Sequence, residues 1–216
     1  MASWTPRLAD AVVSMAGVAM TFGRIDRTAC YHPDGGPAES DSDHTVMLGW
    51  IACALARRLA PDLDIGLVAQ LALAHDAVEA YAGDTQTLRI SDTERAGKTA
   101  REHDAWLLLR EEFGYDLAWL PDMIAHYEDR EWPEARFVWA LDKTMPKLVH
   151  LLDGLRGLHE FGMDRAELAG FFARQRESVA VVVAGEPWAD EFLALHAELV
   201  RRVVNHPGWD STRTVG

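Results

Sequence analysis

Apolar residues recur at three- and four-residue spacing through nearly the whole chain, and alternation of β-branched with polar residues is scarce. The run VAVVVAG at 179–185 is the one stretch that could pass for a strand. The pattern predicts an all-α fold with helices over about 4–22, 43–60, 64–82, 93–114, 116–130, 133–152, 164–184 and 188–205. Pro6 and Pro133 suit first-turn positions and Ser3 is placed to cap the first helix. Pro61 and Gly83 mark helix ends. Two polar stretches interrupt the periodicity. RTACYHPDGGPAESDSD (27–43) is a turn-rich loop with two prolines and two glycines, long for a connection in a compact domain, and loops of that length tend to be functional or mobile. GDTQTLRISD (83–92) is the second. No internal repeat is visible.

Length and composition narrow this picture to one helical bundle. With 216 residues and 49% hydrophobic content, the chain can bury one sizeable core, so residues 1–205 read as a single domain and 206–216 as a flexible tail. Acidic residues outnumber basic ones, 34 to 21, for a formal charge of −13, which argues against a sequence-independent grip on polymeric nucleic acid. A small anionic ligand is still compatible if a metal or local cations receive it. Cys30 and Cys53 lack metal-type spacing and are too few for a disulfide framework, so they read as free thiols of a reducing, cytoplasmic protein. The apolar stretch at 9–20 is interrupted by Asp10, and no run approaches the roughly 20 apolar residues of a membrane span. The expectation is a soluble protein that does not engage membranes.

One apolar helix carries residues that packing does not call for. LALAHDAVEAYAGD (71–84) sets His75 and Asp76 side by side, with Glu79 one turn later. Neutral imidazole and carboxylate together suit a divalent transition metal, and a carboxylate one turn away can orient or deprotonate a water beside it without being a ligand. A His-Asp pair alone is weak evidence, since a buried histidine with one hydrogen bond is commonplace. Two further positions add weight: His44 opens an apolar helix directly after the long polar loop, and Asp142 lies in the strongly apolar PEARFVWALDKTMPKL. Three predicted helices thus each bring a metal-capable group where packing alone would favour an aliphatic. Phe137 and Trp139 read as core rather than as a base-stacking platform, and His32 as a surface loop residue.

His44, His75-Asp76 and Asp142, in that order, resemble the pattern of the HD-domain metal-dependent phosphohydrolases. HDAVEAYAGDT and HYEDREWPEARFVWALDK are most similar to the 5′-deoxynucleotidase-like branch of small all-helical HD proteins, and the likeness runs from about Arg27 to Asp142. The resemblance implies that His44, His75, Asp76 and Asp142 hold one divalent metal ion (Co, Mn, Ni, Mg, Fe or Zn), that Glu79 acts on the attacking water, and that Asp84 assists with the water or a substrate hydroxyl. It also implies that Arg27 binds the phosphate; Arg24 competes for that role. Lys143 either reaches the phosphate or balances nearby carboxylates. The family often places a tryptophan after the phosphate-binding arginine, whereas Thr28 stands here, so a strict preference for 2′-deoxy substrates is not implied.

The function expected on this reading is hydrolysis of a (deoxy)nucleotide 5′-monophosphate to nucleoside and phosphate. Release of triphosphate from a deoxynucleoside triphosphate is the enzymatic alternative, and a catalytically silent nucleotide-binding HD domain is the alternative of another class. A helical scaffold without a ligand would leave the interior His and Asp residues uncompensated. No phosphate loop, HExxH, GxSxG or PCxxC element is present. The resemblance further suggests a homodimer.

Overall fold

The structure is a computed structural model and describes residues 4–210; the capping position expected at Ser3 and residues 211–216 of the expected tail lie outside them. The elements run α1 (Trp4–Phe22), β1 (Asp26–Tyr31), β2 (Ala38–Ser40), α2 (Asp41–Leu59), α3 (Ile65–Ala74), α4 (Glu79–Ala82), α5 (Asp92–Phe113), α6 (Trp119–Asp129), α7 (Pro133–Asp142), α8 (Met145–Leu152), α9 (Arg156–Glu160), α10 (Arg165–Val182) and α11 (Ala189–Val204), with a 3-10 turn at Pro207–Asp210. The fold is helical, as the periodicity predicts, and VAVVVAG is helical through Val182. The chain groups into two compact units, residues 4–26 with 40–139 and residues 27–39 with 140–210, with the boundary inside the continuous helix α7.

In the first unit, α2 packs on α3, α3 on α6 and α5 on α6. Leu109 and Phe113 of α5 meet Leu120 and Ile124 of α6, Ala74 at the end of α3, and Ala77 and Val78 from the segment that follows it, all of them buried. Ser40 caps α2 through a reciprocal box with Asp43, which moves the start of the helix to Asp41, two residues before the expected one. Asp64 caps α3, and a second box, Ser91 with Glu94, starts α5.

In the second unit, α8 packs on α9 and α11, and α10 on α11. The stretch expected as an irregular loop at 27–43 instead pairs β1 with β2 as a two-stranded sheet. Asp34 and Gly35, both with positive φ, turn the chain between the strands. Arg156 secures this hairpin: its guanidinium donates to the Gly36 carbonyl at 2.8 Å and lies 4.3 Å from the Tyr31 ring centroid. A Cβ at Gly157 would stand 2.1 Å from the Ala29 carbonyl oxygen, so only glycine lets α9 approach the strand this closely. The short helix α9 had no periodic signal. Trp209 Nε1 donates to the Val203 carbonyl at 2.9 Å, which ties the 3-10 turn to the end of α11.

Two predicted helices are broken. The helix expected over 64–82 loses its regular ladder at 75–78, where the amides of Ala77, Glu79 and Ala80 bond three residues back, to Ala74, Asp76 and Ala77. The helix expected over 133–152 breaks at Lys143 and Thr144. Pro146 has no N–H to return to the Asp142 carbonyl, so α7 ends at Asp142 and α8 restarts at Met145 with proline in its first turn. Both breaks fall beside residues singled out for their chemistry.

Candidate metal centre

His44 lies in the first turn of α2, on the face turned to α3, and is 1% exposed. His75 closes α3 and is equally buried. Its Nδ1 lies 2.9 Å from the Ala72 carbonyl oxygen. A carbonyl can only accept, so this bond requires the proton on Nδ1 and leaves the lone pair on Nε2, the arrangement that orients a metal-ligating histidine. The ring is flanked by the His44 ring and by the edge of Tyr127, each with centroids 5.4 Å away.

The tightened turn after His75 also sets the carboxylates. The backbone bonds three residues back tighten this turn, and Asp76 and Glu79, three apart, fall on one side of it. Asp76 Oδ2 is 3.0 Å from His75 Nε2. Asp142, buried at the end of α7, completes the set: His44, His75, Asp76 and Asp142 each offer one donor atom, and the four atoms all lie within 4.8 Å of one another. Donors held about 2.1 Å from one ion stand roughly 3–4 Å apart, so a small inward movement of this set would close it around a single ion. Two imidazoles and two carboxylates suit a borderline divalent cation.

Glu79 is 3% exposed. Burial, then the Asp76 carboxylate, push its pKa up to about 10; Lys98 opposes this, while Asp41 and Asp84 add to it. Like charges crowded in this way disfavour ionisation of Glu79, and a cation placed among them would favour it.

Against this geometry, the family described as HD domain matches residues 24–181, nearly three quarters of the chain. The protein belongs to the HD domain family. The matched span contains all four donors of the cluster and includes residues of both compact units. Among solved structures, this HD domain is similar to a protein from Magnetospirillum magnetotacticum MS-1 described as a predicted metal-dependent phosphohydrolase, with 25% identity, coverage of 93% of this chain and 97% of the other, and a TM-score of 0.69. A conserved hypothetical protein from Pyrococcus furiosus (20% identity, 88% and 99% coverage, TM-score 0.58) and the PH0347 protein from Pyrococcus horikoshii OT3 (19%, 87% and 99%, 0.57) share the fold. No curated protein matches this sequence significantly.

The remaining expected residues take distinct places. Asp84 follows Gly83, whose positive φ ends α4, and is close enough to Glu79 to raise its pKa. Lys143 Nζ lies 2.8 Å from Asp142 Oδ2, so in this structure it balances a cluster carboxylate. Arg27 is half-buried on β1 and acts electrostatically on the Cys30 thiol. Cys30 and Cys53 are free. Phe137 is fully buried, as core. Among the described residues, no helix is long and apolar enough to cross a membrane.

Sequence reasoning missed Asp41 and Lys98. Asp41 is fully buried in the first turn of α2 and contributes to the field on Glu79. It sits in ESDSDH, where a capping role alone would account for the acidic residues. Lys98 Nζ is 3.2 Å from Glu79 Oε1. Its only local sign is the i,i+4 spacing to Glu102, an ordinary feature of exposed helix faces.

Proposed function

We propose that this HD domain is a metal-dependent phosphohydrolase of nucleotides, with 5′-monophosphate cleavage to nucleoside and inorganic phosphate as its reaction. The observation that carries the reading is the convergence of His44, His75, Asp76 and Asp142 within 4.8 Å. A similar fold described as a predicted metal-dependent phosphohydrolase supports it.

When bound, a divalent ion held by the four side chains would supply positive charge to a phosphoryl oxygen and favour the ionised forms of nearby acids and water. The protein's own groups do the rest. Glu79 Oε2, buried and without a hydrogen-bond partner among the described residues, accepts a proton from the attacking water. The water oxygen bonds to phosphorus as the bond to the 5′ oxygen breaks; that oxygen takes a proton from solvent and leaves as the nucleoside hydroxyl, and Glu79 returns its proton to solvent. His75, held by the Ala72 carbonyl, keeps its Nε2 lone pair directed at the cluster. Asp84 orients the water or a sugar hydroxyl, and Arg27 offers a guanidinium fork to the phosphate, with Lys143 as a nearby positive charge.

A cavity of about 380 Å³ opens beside Val78, between α5 and α6, with the Trp106 indole in its wall. It has room for the nucleoside portion of such a substrate. Homodimerisation belongs to the same proposal: Trp50, 77% exposed, and Val46 lie one turn apart on α2 and offer an apolar surface.

The test is product release from a panel of nucleoside mono-, di- and triphosphates with Co²⁺, Mn²⁺, Mg²⁺ or Zn²⁺, for wild type and Glu79→Gln. Phosphate from monophosphates, lost in the variant while metal is retained, is the expected result. Triphosphate as product would move the assignment to triphosphohydrolysis, and metal and nucleotide binding without turnover would leave a binding domain.

A further inference from the structure

We propose that Lys98 is the positioning residue for Glu79: its ammonium holds one carboxylate oxygen so that the other is fixed toward the reacting water. The inference rests on the phosphohydrolase reading above. Lys98 projects from α5, and its Nζ lies 3.2 Å from Glu79 Oε1. A second bond joins Nζ to Glu102 Oε1, one turn further along the same helix, which anchors the lysine. The Glu79 side chain is 4% exposed and that of Lys98 is 22% exposed.

The two oxygens of Glu79 therefore have different surroundings. Oε1 accepts from a charged donor, whereas Oε2 is buried with no partner among the described residues. A terminal carboxylate turns freely about its last torsion unless something holds it. Here a charge-assisted bond on Oε1 removes that freedom and fixes the direction in which Oε2 presents its lone pairs. Lys98 also opposes a repulsion. Asp76, Asp41 and Asp84 are the other groups acting most strongly on Glu79, and all three carry the sign that would drive an ionised carboxylate away; Lys98 is the single cation in that set. Because Lys98 acts through Glu79, its removal should slow turnover without weakening substrate or metal binding.

The experiment compares Lys98→Met, Lys98→Gln and Lys98→Arg with wild type in three measurements: kcat and KM on the nucleotide that wild type cleaves best, Co²⁺ affinity from the visible absorption of the bound ion, and the position of the Glu79 carboxylate in crystal structures. Lys98→Met should lower kcat by about 10- to 100-fold with KM within about twofold. Lys98→Arg should restore most of the rate, Co²⁺ affinity should be unchanged in all three, and Glu79 should be displaced or found in more than one rotamer when the charge is missing. Lys98→Gln, which keeps a donor, supplies the comparison if the methionine variant does not fold. Unchanged kcat in the uncharged variants, or a Glu79 carboxylate that keeps its place without Lys98, overturns the inference. So does a large rise in KM at constant kcat, which would make Lys98 a substrate contact. Should wild type cleave nothing in the panel, the phosphohydrolase reading fails on that result, while the carboxylate position still decides whether Lys98 holds Glu79.

Discussion

Around His75, the interior polar groups are dominated by carboxylates: Asp76 and Asp142 join two imidazoles in one small volume, and Glu79 is buried close by. Around Lys147 of α8, the interior polar groups are basic instead. The Lys147 ammonium is fully buried, donates to the Lys143 carbonyl at 2.8 Å and to Gln175 Oε1, and lies 4.2 Å from the centroid of the Phe172 ring. His150 and His196 are buried as well, and burial, followed by the positive charge of Lys147, pushes both pKa values down to about 3. The basic group therefore answers its own electrostatic problem with internal acceptors, an aromatic face and imidazoles kept neutral. In the acidic group the carboxylates meet cations at its edge: Lys98 bonds Glu79, Lys143 bonds Asp142, and Lys147 also acts electrostatically on Asp142. Burial of polar groups alone does not mark a binding site; metal-type donors converging on one point do.

The sharpest break in this comparison is to remove one donor. Asp142→Ala or His75→Ala should abolish stoichiometric metal binding and lower turnover by on the order of 10³-fold or more. In wild type, divalent metal at a hundred times its dissociation constant should add about 2.7 kcal/mol of stability, a rise in melting temperature of roughly 5–10 °C for a chain of this size. That rise should vanish in the donor variants and persist in His196→Leu, since the charges acting on His196 are those of Lys147 and Arg176, neither of them a donor of the cluster. A melting temperature indifferent to every divalent ion tried would erase the distinction between the clusters.

Glu79→Gln comes next. It keeps the side chain's shape and leaves the donor set intact, so metal should still bind while turnover falls by about 10²- to 10⁴-fold. Metal content and rate measured on the same preparation separate this role from that of a ligand.

The four positions that converge here stood out because His44, a His-Asp pair and an Asp interrupt apolar helical runs, and the resemblance to HD-domain phosphohydrolases joined them into one set. The place of Glu79 beside Asp76 was legible from their spacing, three residues apart. The local backbone at the site was not. The helix around His75 reads as continuous because its apolar spacing is intact, yet the His75 ring takes the Ala72 carbonyl and the following turn tightens. Pro146 did carry the signal for the break after Asp142, but the apolar pattern on either side of it masked the interruption. The hairpin at 26–40 was missed because six- and three-residue strands rich in polar residues show no alternation to detect, and Lys98 because its partner lies 19 residues away on another helix.

A smaller effect is expected at Arg27. If its guanidinium serves the phosphate, Arg27→Ala should raise KM about tenfold, the equivalent of about 1.4 kcal/mol, with metal affinity unchanged. An unchanged KM would reduce Arg27 to a component of β1 and of the field around Cys30, and the phosphate contact would pass to another cation. Lys143 would be the first to examine, since it already faces Asp142.

The smallest effect tests the basic cluster by acid rather than by metal. The folded chain holds His150 and His196 with pKa values near 3, whereas the ordinary imidazole value is 6.5. Between these values the unfolded chain binds protons that the folded chain refuses, so stability falls as pH drops from 6.5 toward 3 and is flat, for these groups, above 6.5. Each histidine costs about 0.8 kcal/mol at pH 6, and the slope approaches about 1.4 kcal/mol per pH unit further down. Both ring nitrogens of His196 are buried without a hydrogen-bond partner among the described residues, so leucine at this position sacrifices no hydrogen bond seen there. In urea titrations from pH 7 to 4, His196→Leu should therefore lose about one proton's worth of the acid slope while keeping its metal-induced stabilisation at pH 7. An acid slope unchanged in that variant would mean that the buried imidazole is protonated in the fold, and the basic cluster would then share the acidic cluster's need for a counter-ion.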